Sequence, residues 1–276
     1  MNNAMHEPIL CDLDGVVWLS HQPIAGSVEA IVALRAAGHR VLFVTNNSYA
    51  KVAAQEQTLE SIGIRAVGDV LTSSGAAATL LKVGQRVLVA GGPGVVEAIE
   101  NVGAVVVGRT DDGSSREAQE ISDANIDAVV VGFHRTFNFE SMRRASAAVR
   151  NGAMLIGTND DATYPTSDGV IPGGGSILAA IATASGATPI VAGKPFAPMG
   201  ELVRRSLNLT NLDACWMIGD RYSTDGVFAK TIGAKFALVT SGIVDRNDAK
   251  ALHEKHKFEV VVDDLRGLAK HLGVAI

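Results

Sequence analysis

Short apolar runs recur along the chain, and segments with a helical spacing of apolar residues separate them. Most runs are apolar on both faces, which is typical of strands buried inside a parallel sheet. The alternation predicts an α/β protein with a largely parallel, Rossmann-like sheet. The predicted strands are Ile9–Leu13, Val41–Thr45, Arg86–Ala90, Ala104–Val107, Ala128–Gly132, Ala153–Ile156, Pro189–Ala192, Cys215–Gly219, Lys235–Val239 and Val260–Val262. The predicted helices are Val28–Ala37, Ala50–Ile62, Val95–Val102, Phe139–Arg150, Ile177–Ser185, Met199–Leu207 and Asp225–Ile232.

The composition indicates a folded chain without a polyanionic partner. Hydrophobic residues make up 47% of the 276 residues and charged residues 19%, enough for a sizeable core. The formal net charge of −5 argues against a protein that binds nucleic acid through a positive surface. Residues Gly169–Gly193 carry no charge, but Pro172 and several glycines interrupt them, and no apolar run approaches the roughly 20 residues of a membrane span. We therefore expect neither nucleic acid nor membrane as a partner.

The N-terminal residues and the cysteines predict a cytoplasmic protein. The first residues, MNNAMHEP, contain neither a basic segment nor an apolar run, so they predict no export signal. Cys11 and Cys215 both lie in apolar, strand-like runs, which suits reduced thiols better than a disulfide.

Polar residues follow several predicted strands, at the edge where α/β sheets bind ligands. Asp12 and Asp14 come two residues apart at the end of the first strand, so an extended backbone points both carboxylates to one side. The other residues are Thr45, Asn46 and Asn47 at the tip of the second strand, Lys194 after Pro189–Ala192, and Asp220 and Asp225 after the Cys215–Gly219 strand.

Converging carboxylates repel each other, and a hard divalent cation removes that repulsion. Oxygen ligands without His or Cys favour Mg²⁺, with Asp12 and Asp220 as natural ligands. An ionised aspartate can attack phosphorus if positive charge offsets the repulsion between the anions, and Lys194 can contribute that charge. A neighbouring aspartate with a raised pKa can protonate the leaving alcohol. The residues alone leave open which of Asp12 and Asp14 attacks.

Four segments resemble, in the same order, the four motifs of the haloacid dehalogenase superfamily phosphatases. They are DLDGV at Asp12–Val16, FVTNN at Phe43–Asn47, GKP at Gly193–Pro195 and GDRYSTD at Gly219–Asp225. The segment Thr163–Ile177, TYPTSDGVIPGGGSI, narrows the resemblance to the NagD-like and 4-nitrophenylphosphatase-like branch.

The resemblance implies a role for each matched residue. It makes Asp12 the nucleophile and Asp14 the general acid and base. It implies that Asp12, the backbone carbonyl of Asp14 and Asp220 bind Mg²⁺, and that Asp225 lies behind them and steadies metal-bound water or Lys194. Phosphate and substrate binding would fall to Thr45, Asn46, Asn47 and Lys194.

The long stretch between Thr45 and Lys194 leaves room for an inserted domain. We expect a catalytic core at residues 1–81 and 189–276 and a smaller α/β cap at residues 82–188. The resemblance implies that the cap contacts the organic part of the substrate, through residues such as Asn159–Gly175, and that two chains pair through it.

The expected function is hydrolysis of a small phosphorylated metabolite through an aspartyl-phosphate. The alternatives are a non-catalytic sensor of phosphorylated metabolites and a receiver-like phospho-aspartate switch. Asp14 argues against the switch, because an acid and base beside the phosphorylated residue shortens the life of the phosphoryl group. The sequence leaves the leaving alcohol open among glycerol phosphate, phosphoglycolate, sugar phosphates, nucleotides and pyridoxal phosphate.

Overall fold

The computed structural model describes residues 6–19, 21–110, 125–166 and 169–276. The chain forms two compact units. The first comprises the residues up to Thr45, Ala53–Leu71 and Val203–Ile276, and the second comprises Asn46–Val52 and Thr72–Leu202. In sequence, the second unit thus interrupts the first twice. The predicted cap, residues 82–188, falls inside the second unit, which extends beyond it at both ends.

The first unit is built on a six-stranded sheet with the order β15-β14-β13-β1-β4-β5. Its strands are β1 (Ile9–Cys11), β4 (Val41–Thr45), β5 (Val70–Thr72), β13 (Trp216–Gly219), β14 (Lys235–Val239) and β15 (Val260–Val262). A hairpin of β2 (Trp18–Leu19) and β3 (Gln22–Pro23) follows β1. The central strand β1 is fully buried and runs parallel to β13 and β4, so Cys11 is paired with both Ile218 and Phe43. This register places the carboxyl ends of three strands side by side.

Helices cover the sheet of the first unit. They are α1 (Ser27–Ala36), α8 (Val227–Ile232), α9 (Arg246–His256) and α10 (Leu265–His271), with α2 (Val52–Ser61) and α7 (Ala197–Leu207) at its sequence boundaries. Asp245 caps α9 by accepting hydrogen bonds from the backbone N–H groups of Asn247 and Asp248. Asp264 caps α10 through the N–H of Gly267. Carboxylates at helix N-termini also interact favourably with the helix dipole.

The second unit contains a five-stranded sheet with the order β12-β9-β8-β6-β7. The strands are β6 (Arg86–Ala90), β7 (Val105–Arg109), β8 (Ala128–Val131), β9 (Met154–Gly157) and β12 (Ile190–Val191), all paired in parallel. A hairpin of β10 (Thr163–Thr166) and β11 (Gly169–Pro172) lies outside this sheet. The helices are α3 (Ser73–Ala78), α4 (Pro93–Asn101), α5 (Phe139–Arg150) and α6 (Gly174–Ser185).

The predicted α/β class with parallel sheets is confirmed, and helix α5 has the predicted bounds. The predicted helix Asp225–Ile232 begins later, at Val227, because Tyr222–Gly226 forms a π-helical turn. Strand β12, predicted near the start of the second core segment, pairs with β9 in the second unit. Cys11 and Cys215 are buried free thiols. Within the described ranges, no helix combines the length and the apolar character needed to cross a membrane.

Candidate active site

Three aspartates gather at the carboxyl edge of the first sheet. Asp12 follows β1, Asp220 follows the neighbouring strand β13, and Asp225 lies in the π-helical turn just beyond it. One carboxylate oxygen from each lies within 4.8 Å of the others. Asp225 is fully buried and Asp220 nearly so, while Asp12 is partly open to solvent. Adjacent parallel strands that end at one edge therefore produce the cluster that the sequence pattern predicts for Asp12 and Asp220.

The carboxylate of Asp220 is held by backbone on two sides. The N–H of Ile243 donates to Asp220 Oδ2 at 3.0 Å. A Cβ built on Gly15 would lie 2.3 Å from Asp220 Oδ2, and one built on Gly242 would lie 2.1 Å from it. Gly15 also has a φ of 84°, which disfavours other residues. Ser241 fixes Gly15 by donating its hydroxyl to the Gly15 carbonyl at 2.7 Å. Only glycine fits at both of these positions while Asp220 keeps its place.

Asp225 folds back onto the strand end that precedes it. A Cβ on Gly219 would lie 2.3 Å from the Asp225 side chain. The N–H of Arg221 donates to Asp225 Oδ2 at 3.3 Å, and the N–H of Asp225 donates to the Arg221 carbonyl at 2.8 Å. The cluster thus brings Asp225 into direct range of Asp12 and Asp220, whereas the resemblance places it behind the metal ligands.

Asp14 lies two residues beyond Asp12 and has a different environment. The indole N–H of Trp18 donates to Asp14 Oδ1 at 3.1 Å. Reduced hydration within the surrounding protein, and after it the negative charge of Asp12, raise the pKa of the Asp14 carboxyl to about 6. The residue still keeps an exposed face. Asp14 therefore combines contact with solvent and a pKa near neutrality, as a general acid and base requires.

The donor set of the cluster suits a hard cation. Asp12, Asp220 and Asp225 offer only carboxylate oxygens, and no His or Cys belongs to the group. Mg²⁺ prefers such ligands, and its charge offsets the mutual repulsion of three buried or half-buried carboxylates. The residues present thus fit Mg²⁺.

Thr45 is the buried last residue of β4, in the first unit, whereas Asn46 and Lys194 lie in the second unit and bind each other. The backbone N–H of Lys194 donates to Asn46 Oδ1 at 2.8 Å, and Asn46 Nδ2 donates to the Lys194 carbonyl at 3.0 Å and to Asp161 Oδ2 at 3.1 Å. Both ends of the Asn46 amide therefore fix the backbone of Lys194, a residue that is 2% exposed. The backbone carbonyl of Asn46 accepts hydrogen bonds from Ser73 Oγ and Asn159 Nδ2, each at 2.8 Å.

Asn47 forms a local turn. Its Oδ1 accepts the backbone N–H of Tyr49 at 3.0 Å and that of Ala50 at 3.5 Å. Side chains of this type commonly stabilise such turns. Asn47 thus shapes the segment that follows β4.

Sequence reasoning missed several supporting residues. Gly242 and Ile243 follow β14 in the segment TSGI. The glycine just after a buried strand is the one feature of the sequence that could have pointed to them. Asp161 and Asn159 lie in the segment Asn159–Gly175, which the resemblance singles out, but nothing in the sequence pairs them with Asn46. Ser73 gives no signal of its own.

Comparisons with known proteins agree with this architecture. The family model described as haloacid dehalogenase-like hydrolase matches residues 9–105, and a second, HAD-hydrolase-like model matches residues 191–268. A D-glycerol 3-phosphate phosphatase from Mycobacterium tuberculosis is 35% identical over 98% of this chain and 74% of its own length. The chain belongs to the haloacid dehalogenase-like hydrolases. The family resemblance of the four motifs is thereby confirmed.

Other relatives place this haloacid dehalogenase-like hydrolase in the NagD-like and 4-nitrophenylphosphatase-like branch. Phosphoglycolate phosphatase 2 from Arabidopsis thaliana is 31% identical over 92% of this chain and 88% of its own. The structure of a p-nitrophenyl phosphatase from Archaeoglobus fulgidus matches with a TM-score of 0.84 and 28% identity, covering 96% of this chain and 99% of that one. A glycerol phosphate phosphatase from M. tuberculosis, solved in complex with magnesium, matches with a TM-score of 0.81 and 32% identity over 95% of this chain and 77% of that one.

Proposed function

We propose that this hydrolase is a Mg²⁺-dependent phosphatase that cleaves a small phosphorylated metabolite. The observation that carries the proposal is the convergence of Asp12, Asp220 and Asp225 at one sheet edge, with Asp14 and its raised pKa two residues from Asp12. The relatives support it, since they are phosphatases of phosphate monoesters and one of them was solved with magnesium.

In this proposal Asp12, Asp220 and the backbone carbonyl of Asp14 hold the metal, and the nearby Asp225 steadies it. When bound, Mg²⁺ offsets the negative charge of the phosphate and of Asp12. The resemblance assigns the attack to Asp12, which is partly open to solvent while Asp220 and Asp225 are buried.

The chemistry then proceeds in two balanced steps. A carboxylate oxygen of Asp12 forms a bond to phosphorus while the bond from phosphorus to the ester oxygen breaks, and Asp14 gives its proton to the leaving alkoxide. In the second step Asp14 takes a proton from water, the water oxygen attacks phosphorus, and the bond to Asp12 breaks. Inorganic phosphate leaves and both aspartates return to their starting states.

Lys194, Thr45, Asn46 and Asn47 are assigned to the phosphate by their motifs. The buried Lys194 contributes positive charge, and the Thr45 hydroxyl donates to a phosphate oxygen. The hydrogen bonds between the Asn46 amide and the backbone of Lys194 support a role for both residues in phosphate binding, because they fix the backbone position from which the lysine side chain extends. Asn47 shapes the backbone of the same segment.

We propose that the inserted cap, residues 82–188, selects the substrate. We also propose that the enzyme acts in the cytoplasm. We further propose that two chains pair through the cap. Glycerol phosphate and phosphoglycolate are the first substrates to test, because relatives carry those activities in their names. A panel of metabolite phosphates, compared by kcat/KM, would rank them together with sugar phosphates, nucleotides and pyridoxal phosphate.

The central test uses 4-nitrophenyl phosphate. Asp12→Asn should abolish turnover while circular dichroism and thermal unfolding stay as in the wild type, and Asp213→Asn, at an exposed position away from the cluster, should stay active. A chelator should stop the wild-type enzyme, and added Mg²⁺ should restore it. Full activity of Asp12→Asn would exclude Asp12 as the nucleophile, and unchanged rates with the chelator would exclude the metal. A long-lived phosphoryl-Asp12 without turnover would favour a switch.

A further inference from the structure

The residue Asp225 depends on an unusual piece of backbone. Tyr222–Gly226 form a π-helical turn, which is wider than an α-helical turn and often occurs at functional sites. Asp225 lies inside this turn, fully buried and within 4.8 Å of the other two carboxylates of the cluster. The position of its carboxylate is therefore set by the shape of the turn.

Tyr222 is the first residue of this turn, and its ring packs on the backbone of the turn. A Cβ built on Gly226 would lie 2.4 Å from the Tyr222 ring, so the ring rests directly on the backbone at the far end of the turn. No side chain larger than that of glycine fits at position 226 while the ring stays there. Tyr222 thus connects the first and last residues of the turn that holds Asp225.

The same ring contacts three other aromatic residues of the first unit. It stacks on His256, at the end of α9, with ring centres 4.0 Å apart and an angle of 20° between the planes. It also contacts Phe258 at 5.7 Å and Phe236, in β14, at 6.1 Å. Phe236 and Phe258 contact each other edge to face at 5.2 Å, so they form one aromatic support beneath the tyrosine.

We propose that Tyr222 is a positioning residue for the metal site. Through its ring, the aromatic group of Phe236, His256 and Phe258 holds the π-helical turn in the shape that points the Asp225 carboxylate at Asp12 and Asp220. The inference rests on the proposed function, in which these carboxylates serve Mg²⁺. Residues that orient metal ligands typically contribute a factor of about 10 to 100 to metal affinity.

The test measures Mg²⁺ binding directly, without substrate, by isothermal titration calorimetry on the full chain. Tyr222→Leu removes the ring and should weaken Mg²⁺ binding about tenfold. Tyr222→Phe keeps the ring and should bind as the wild type does. Leu268→Ala is the control, because it removes a fully buried side chain from α10 of the same unit, a helix that contributes no residue to the aromatic group.

Thermal unfolding without metal separates positioning from general packing. We expect Tyr222→Leu and Leu268→Ala both to lose stability, while only Tyr222→Leu loses Mg²⁺ affinity. His256→Ala, at an exposed position, removes the stacked partner of Tyr222 without endangering the fold. It should weaken Mg²⁺ binding in the same direction as Tyr222→Leu but by less, so it tests the inference if Tyr222→Leu does not fold.

Three results would overturn the inference. Unchanged Mg²⁺ affinity in Tyr222→Leu, or in His256→Ala if only that variant folds, would show that the ring does not act on Asp225. An equal loss of Mg²⁺ affinity in Leu268→Ala would show that lowered stability alone explains the effect. A wild-type chain that binds no Mg²⁺ would overturn the metal proposal together with this one, whereas a chain that binds Mg²⁺ but hydrolyses no phosphate ester would contradict only the proposed function.

Discussion

The carboxylate of Asp220 lies directly against the backbone of Gly242. A Cβ at position 242 would come within 2.1 Å of Asp220 Oδ2, the same oxygen that accepts the N–H of Ile243 at 3.0 Å. Contact this close cannot be relieved by a flexible side chain, because the carboxylate is nearly buried and Gly15 confines it as well. The loop after β14 therefore determines where one ligand of the proposed metal site stands.

Gly242→Ala should displace Asp220 and lower both Mg²⁺ affinity and kcat/KM by about 10- to 100-fold. Gly273→Ala is a suitable control, because that glycine has a φ of 76°, meets open space and lies near the end of the chain. The control should lose about 1 kcal/mol of stability and keep Mg²⁺ affinity. Calorimetry and steady-state kinetics check both, and wild-type Mg²⁺ affinity in Gly242→Ala would contradict the prediction.

Asp14→Asn should affect the first step of the reaction differently for two substrates, depending on whether their leaving group needs a proton. Asparagine retains the size of the side chain and an oxygen that can accept the Trp18 N–H, but it has no proton to give as an acid. An alkyl phosphate such as glycerol phosphate needs that proton, so its hydrolysis should fall by about 100-fold or more. Nitrophenolate leaves without a proton, so rapid mixing should show a burst of one equivalent before slow turnover. Equal losses for both substrates in the first turnover would count against the role of Asp14.

Part of this site follows from the sequence, and part does not. Asp12 and Asp220 could be placed together because each ends an apolar strand, and parallel strands end at one edge. The π-helical turn could not be predicted, because Asp225 before an apolar segment has the local pattern of an ordinary helix start. Tyr222 meets Phe236 and Phe258 only after folding, and these distant contacts accompany the altered turn.

The second unit shows the same limit. Asn46 and Lys194 are 148 residues apart in sequence, and each alone has an ordinary turn or surface interpretation. Their mutual hydrogen bonds depend on the fold. Strand β5, in the sheet of the first unit, was missed because Val70–Thr72 is only three residues long. Helix α3 of the second unit was missed because SSGAAA, at Ser73–Ala78, has no helical spacing of large apolar residues.

Glu7 should contribute stability that depends on pH. Its carboxylate accepts the Trp216 indole N–H at 2.6 Å and pairs with Lys235, and the Lys235 contact is the main cause that holds the pKa of Glu7 below its usual value. A lowered pKa in the folded state stabilises the fold above the unfolded pKa of about 4.5, and that contribution is lost as the pH falls through the folded pKa.

Glu7→Gln should therefore cost up to about 1 kcal/mol near pH 7, since the pair is about one-third exposed and water weakens it. The difference from the wild type should shrink as the pH falls below about 4.5 and should vanish once it has fallen through the lower pKa of the folded state, where the folded wild type also loses this charge. Urea unfolding at both pH values measures it, with Glu254→Gln, an exposed residue, as the control. A cost that does not change with pH would exclude the charge as its source.

Thr158 and Thr72 are buried threonines of the second unit, and their hydroxyl groups differ in whether they form a hydrogen bond. Thr72 Oγ1 accepts the N–H of Gly75 at 3.1 Å and caps α3. Thr158 Oγ1 is buried and has no hydrogen-bond partner in the part of the chain that the structure describes. The backbone of Thr158 is well used, because its carbonyl accepts the N–H of Gly193, next to Lys194, at 2.8 Å.

A buried hydroxyl without a partner costs free energy, and replacing it by a methyl group of the same shape removes that cost. Thr158→Val should therefore raise the free energy of unfolding by about 1 kcal/mol and the Tm by about 2 to 4 °C. Thr72→Val should lower the stability by about 1 kcal/mol, because it removes a helix cap. Thermal unfolding of both variants checks the pair. A loss of stability in Thr158→Val would show that the Thr158 hydroxyl has a hydrogen-bond partner in solution. Because the Thr158 carbonyl accepts the N–H of Gly193, that partner would then lie close to the segment that carries Lys194.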